Sequence, residues 1–418
     1  MWRSVVRLHF LHFPYILIMK LHLPSSLRKA LLACISALAA HALPVTVSTG
    51  TFAASGALIS FLSTQQSIAA EDDEDDEDAG IAPFAIEGDW ASGHQVDSAE
   101  TWTSFFDTSG LNAAGKKVAI DTSNVSGGID LGSTARTIDA DMWIEKFEIA
   151  NLGANLTFSG AVYGAGDLTT AEGVTGRTFT IDGDWSHFTG NIDVGSNTIS
   201  VNAGKTLSGN VVRGRKFELA SQAKNVVVSV NEMHFEQIDF GNPSSVTFNA
   251  GSNGTSNIYF SSATNAVSVI RNNATVTLNN GVTLTVHDTT TAAFGLYNDG
   301  RVVLNDGSKW VVETTGSVAA LESKWTVNGG ATLDIKGAFT GTSTMSLGGA
   351  LNVSGNAAIA NITGDGSITL SGSGELSVAN AWSFGGGSVT MEGGTLNING
   401  ATNTIGTLSG SSGTVALG

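Results

Sequence analysis

One cysteine, five prolines and a charged fraction of only 14% in 418 residues remove several classes of protein at the outset. Cys34 alone cannot build a disulfide framework or a cysteine-ligated metal site within one chain. Too little Pro and charge are present for a disordered polymer, and too little Lys, Glu and Leu for a helical bundle. Positive charge is scarce as well: 20 Lys and Arg stand against 37 Asp and Glu, a net charge of −17. Phosphate backbones repel such a chain, which excludes nucleic acid as a partner. Beyond the leader, no stretch reaches the roughly 18 apolar residues of a membrane-spanning helix. What is abundant is Gly, with 51 residues, together with Ser, Thr, Asn and small aliphatics, a mixture that favours short strands joined by tight turns.

The first 42 residues read as a leader and signal peptide. Lys20 and Arg28-Lys29 precede the apolar Ala30 to Ala40 and the small-residue Ala40-His41-Ala42, which is the charged, apolar, small order of a secretory signal. Cleavage is expected after Ala42, with an alternative near Ala70. Residues 43–83 read as a disordered linker, because the run Glu71 to Asp78 places eight like charges side by side and like charges in a block repel and stay solvated.

An internal repeat organises the C-terminal part. Val276-Thr-Leu278-Asn-Asn-Gly281-Val-Thr-Leu284-Thr-Val286 is a strand, a turn containing Gly, and a second strand. The same pattern returns at Val302 to Val312, Trp325 to Ile335, Met345 to Val353, Ile368 to Val378 and Val389 to Ile398, with starts about 20 to 26 residues apart, in the range of stacked repeats. Apolar residues alternate with Thr, Ser, Asn and Asp, so each strand buries one face. The Asn-Gly, Asp-Gly and Gly-Gly turns supply positive φ. Separate hairpins would use the same local signals. The constant period, the variable turn length and the small apolar content of each unit favour coils that stack into one column. The expected fold is all-β: a right-handed parallel β-helix over 183–418, with residues 84–182 forming an N-terminal cap and less regular coils. Trp90, Trp102, Phe105 and Phe106 supply bulk for the cap.

Gly183-Asp-Trp185-Ser-His-Phe188-Thr-Gly190-Asn-Ile192, Gly393-Gly-Thr-Leu396-Asn-Ile398 and Ile405-Gly-Thr-Leu408 to Val415 resemble the passenger domains of bacterial autotransporters. The resemblance implies export through the inner membrane of a Gram-negative bacterium, passage across the outer membrane and display at the cell surface or release. It also implies a membrane barrel following the passenger. No run of ten-residue alternating strands with aromatic girdles is present here, so the barrel is expected on another polypeptide or to be missing, with 183–418 a truncated passenger.

Sites for chemistry are few. His94, His187, His234 and His287 are widely spaced and match no metal-binding pattern. No nucleophile elbow and no calcium repeat occur. Asp139 with Asp141, and Asp182 with Asp184, put two carboxylates on one side of a strand or turn, as an acid/base pair or a Ca²⁺ site requires; the simpler reading is Asp as a turn residue beside Gly. No catalytic, cofactor-binding or metal-ligating residue is assigned. Trp310, Trp325 and Trp382 are the candidate ligand-facing aromatics, able to stack on sugars or peptide side chains if exposed, or to fill a wide part of the coil if buried. The expected function is a non-enzymatic surface stalk with adhesive or self-associating capacity towards a host glycan, a host protein or its own copies. The alternatives are a carbohydrate-active β-helix, a lyase or glycosidase with carboxylates on one flank, and a nonfunctional fragment.

Overall fold

The computed structural model describes residues 94–96, 117–241, 243–261, 268–287, 294–399 and 403–417. The segments expected to be a signal peptide and an acidic linker, and the aromatic residues Trp90, Trp102, Phe105 and Phe106, lie outside them. The chain divides into Met1–Ala85 and Ile86–Gly418, and every described residue belongs to the second unit.

Among the described residues there is no helix, and every strand pairing is parallel; the architecture is a parallel β-solenoid of about 14 turns. Each turn carries three strands. In one coil they are Arg301–Leu304, Lys309–Val312 and Ser317–Ala320, and the next coil lays Lys324–Val327, Thr332–Ile335 and Ala338–Gly341 over them in register. Three ladders result, called here first, second and third in the order the chain visits them. The same ladders run through coils on both sides of Gly183, from Lys117–Asp121 onward.

Alternation explains why these segments are strands. Thr275–Leu278, Ser367–Leu370 and Thr332–Ile335 each bury every second side chain, so one face joins the core while Thr, Ser or Asn meets water. In the first ladder Val276, Val302, Trp325, Met345, Ile362 and Trp382 lie one above another, all buried. In the second the column runs Leu284, Trp310, Leu333, Leu351, Ile368 and Val389. Each such aliphatic side chain withdrawn from water contributes about 1.5–3 kcal/mol. No single coil holds enough of them to fold alone, which makes the stack the cooperative unit.

Two features of the repeat differ from the sequence reading. The coil has three strands where the repeat shows two; the third, such as Phe294–Tyr297 or Ala338–Gly341, carries weaker alternation. Second, the units beginning at Ile368 and Val389 are displaced by one strand: Ile368 pairs with Leu351, so it belongs to the second ladder and not beneath Met345. The residue that lies over Met345 is Ile362, and Trp382 follows it, at steps of 17 and 20 residues. Strand Asn356–Gly364 bends from the third ladder into the first with no Gly-containing turn to mark the corner. Nothing in the local pattern therefore distinguishes one strand-turn-strand unit from the next.

The turn chemistry is as the sequence implies at one corner. Gly281, Gly307 and Gly330 occupy equivalent places between first and second ladders, with φ of +79°, +71° and +77°. Only glycine takes that conformation without a Cβ penalty.

Candidate functional site

The three tryptophans singled out as ligand-facing point inward. Trp310, Trp325 and Trp382 are each at most 1% exposed. Trp310 meets Phe294 edge to face at 5.6 Å and Trp325 at 5.1 Å, and Trp325 meets Phe339 at 5.2 Å, a run of T-shaped contacts along the core axis. Trp382 packs on Phe384 in the same way at 5.9 Å. They take phases that aliphatic residues fill in neighbouring coils, so the alternation that buries Val302 or Leu333 buries them too. The Trp325 indole donates to Ser323 Oγ at 3.2 Å, whereas the indole N–H groups of Trp310 and Trp382 are buried without a partner. These rings are core, and the expectation that they present a stacking surface is corrected.

The outward aromatics are other residues. His187 stacks on Tyr163 (5.5 Å, 3°) and His234 on Tyr259 (4.8 Å, 17°), each pair on adjacent rungs of one ladder. Because the rings stack coil upon coil, each covers a face of its neighbour. The His234 ring also bonds Glu232 through Nε2, and Arg213 lies 3.3 Å from the same carboxylate. Glu232 is held below the ordinary carboxylate range, chiefly by the His234 hydrogen bond and then by the charges of His234 and Arg213, against an opposing effect of burial. Lys216 bridges Glu218 and Asp239 nearby.

The paired carboxylates are engaged within the framework. Asp141 accepts the Ala161 amide, and Asp182 accepts the Asn202 side chain one coil on. Asp184 accepts the Ser186 amide at 2.9 Å, and this backbone bond is the leading cause of its lowered pKa. Among the described residues no group of three or more His, Cys, Asp and Glu is arranged to hold a metal ion.

A feature missed at the level of sequence is the use of Asn at the corner between the first and second ladders. Asn279 Nδ2 donates to Asn249 Oδ1 (2.7 Å), Asn305 to Asn279 (2.6 Å) and Asn328 to Asn305 (2.8 Å). A second ladder on earlier coils links Asn191 to Asp167, Asn210 to Asn191 and Asn231 to Asn210, at 2.8, 2.9 and 3.0 Å. That ladder is closed at both ends: the Asp167 carboxylate accepts at one, and Asn231 Oδ1 accepts the Asn253 amide at the other. The ladder from Asn249 to Asn328 ends differently. Leu278, Leu304, Val327, Leu347 and Gly364 are stacked partners, and the residues that follow them are Asn279, Asn305, Asn328, Gly348 and Asp365. The polar column is thus interrupted at Gly348 and resumes as a carboxylate.

An open groove of about 410 Å³ lies at this interruption, within the range of small-ligand clefts. Its floor includes Gly348, Gly349 and Gly366, and its polar groups are Thr332, Asp365, Ser367 and Ser388. The visible signal for it is the series of residues just after the first-ladder strand, Asn, Asn, Asn, Gly, Asp, which becomes legible once the coils are registered.

The fold and these corners define a parallel β-solenoid in which charged pairs such as Lys309–Asp334, Lys336–Glu313 and Lys216–Asp239 link one coil to the next. No protein-family model, curated protein or solved structure matches the chain.

Proposed function

We propose that the protein is an exported, non-enzymatic β-helical stalk that acts by adhesion or self-association along its length. The observation that carries this reading is continuity. One buried column and three parallel ladders run from Val118 to Ile398, with corners reinforced by side-chain ladders. Such a stack resists bending and presents evenly spaced outward groups, the physical requirements of a spacer with multivalent contact. About 14 rungs at about 4.8 Å each give a rod on the order of 65–70 Å for the described coils. Its resemblance to autotransporter passengers supports placement at a bacterial surface or outside the cell.

The test coats beads with the purified full-length chain and scores their mutual aggregation and their attachment to host glycan and protein surfaces, while a polysaccharide panel is assayed for newly formed chain ends. Aggregation or attachment without cleavage is expected. Release of reducing or unsaturated ends from any polysaccharide overturns the reading in favour of a carbohydrate-active β-helix, and beads that neither aggregate nor attach overturn the adhesive part.

A further inference from the structure

We infer that Asn328 is a site of spontaneous deamidation through ring closure with Gly329, and that the aspartate formed there reverses the hydrogen-bond polarity of the Asn ladder. The inference is independent of the adhesive reading above.

Three Asn-Gly steps lie among the described residues, Asn253-Gly254, Asn280-Gly281 and Asn328-Gly329, and all three asparagines are exposed. Asparagine is thermolabile, most of all before glycine, whose backbone nitrogen is free to swing towards the preceding side chain. The three steps differ in what holds that nitrogen. Gly254 N–H donates to Gly251 O at 3.0 Å, and Gly281 N–H donates to Gly307 O at 3.2 Å. Asn253 is held further, because its Oδ1 accepts both the amide and the hydroxyl of Thr255, at 2.8 and 2.9 Å. Gly329 N–H, by contrast, makes no hydrogen bond among the described residues. The residue beside it on the next coil is Gly348, which has no side chain to shield it. The Asn328 side chain itself is restrained by a single bond, from Nδ2 to Asn305 Oδ1 at 2.8 Å.

The chemistry needs only water. Solvent base removes the Gly329 amide proton, and the nitrogen attacks Asn328 Cγ. The N–Cγ bond forms, the Cγ–Nδ2 bond breaks, and Nδ2 leaves as ammonia after taking a proton from solvent. Water then opens the five-membered imide at one of its two carbonyls, which leaves aspartate or isoaspartate at 328. No oxidant, reductant or co-reactant is required.

The aspartate product acts on the ladder. Asn328, Asn305 and Asn279 each donate to the preceding coil. A carboxylate at 328 cannot donate, so Asn305 Oδ1 loses its partner as the ladder stands. Turning over the amides of Asn305, Asn279 and Asn249 restores the column, with each donating to the following coil and Asn305 Nδ2 bonding the new carboxylate. The ladder of the earlier coils already ends on an anion, since Asn231, Asn210 and Asn191 donate in sequence towards the Asp167 carboxylate. Charged acceptors make the stronger bonds, and bonds in a chain polarise one another, so the carboxylate end sets the direction. Isoaspartate instead adds a main-chain carbon at the corner and displaces its side chain from the column.

The experiment incubates the full-length protein at neutral and mildly alkaline pH, beside the urea-unfolded chain. Peptide mapping by mass spectrometry reads amide-to-acid conversion and isoaspartate at 253, 280 and 328. In the folded protein 328 is expected to convert severalfold faster than 280 or 253, and faster as pH rises; in urea the three rates should converge. Gly329→Ala suits the native backbone, since Gly329 lies outside the left-handed region and its Cβ would meet nothing nearer than Gly348 O at 3.9 Å. It should slow conversion at 328 at least tenfold with the melting temperature unchanged. Asn328→Asp, which supplies the product directly, should melt above Asn328→Ala at neutral pH. Slower conversion at 328 than at 253 or 280, a folded-state ranking identical to that in urea, or no slowing in Gly329→Ala overturns the site. Asn328→Asp melting no higher than Asn328→Ala overturns the ladder reversal.

Discussion

Replacing Trp310 offers the most direct test of the core. Its ring is fully buried and makes edge-to-face contacts with Phe294 and Trp325. Trp310→Ala should destabilise the solenoid by about 3–5 kcal/mol, from lost transfer energy and the cavity left in a stack unable to collapse around it. The two ring contacts contribute about 0.5–1.5 kcal/mol each within that total. Trp310→Phe should cost much less, because it keeps an aromatic ring and removes an indole N–H that is buried without a partner, a group whose desolvation costs about 1–3 kcal/mol. Urea unfolding of the two variants, with iodide quenching of tryptophan emission in the native protein, measures both. A Trp310→Ala cost below about 1 kcal/mol, or a Phe variant as unstable as the Ala variant, would refute the packing argument.

Other outcomes follow from the corners and the charges. Asn305→Ala removes one donated and one accepted ladder bond, so denaturant titration should show a loss of about 1–3 kcal/mol, larger than that of Asn249→Ala, which removes a single accepted bond; equal losses would contradict a linked ladder. Gly349→Ala should destabilise by about 1–3 kcal/mol, since its Cβ is driven against backbone carbonyls, while Gly348→Ala should leave the melting temperature within a degree or two. Glu232 and Asp184 have lowered folded-state pKa values, so their stabilisation is complete above the ordinary carboxylate range and is lost as pH falls through the lowered values. Melting temperatures measured from pH 6 downwards should decline below about pH 4–5, and Glu232→Gln should flatten part of that decline; an identical profile in the variant would rule out its contribution.

Much of the fold was legible because alternation with period two is a local property. Val276 to Val286 declares two strands and a glycine turn without reference to anything distant, and the recurrence of that unit implies stacking because one unit cannot bury itself. The third strand was less visible, since segments such as Ser317–Ala320 owe their burial to coils above and below. Register was beyond reach for a related reason. Ile368-Thr-Leu370 and Val276-Thr-Leu278 are equivalent as patterns, and only the pairing of Ile368 with Leu351 assigns its ladder.

The sequence by itself determined the chemistry of the faces: which residues alternate, where glycine permits a corner, and how little charge or cysteine there is for other architectures. Tertiary structure decided which side each face meets. It turned Trp310, Trp325 and Trp382 inward, joined Asn249, Asn279, Asn305 and Asn328 from four coils into one hydrogen-bonded column, and set the gap at Gly348 next to Asp365. The physical reason is separation along the chain. Contacts between coils link residues some twenty positions apart, and their alignment depends on the length of every intervening corner, which local patterns constrain only loosely.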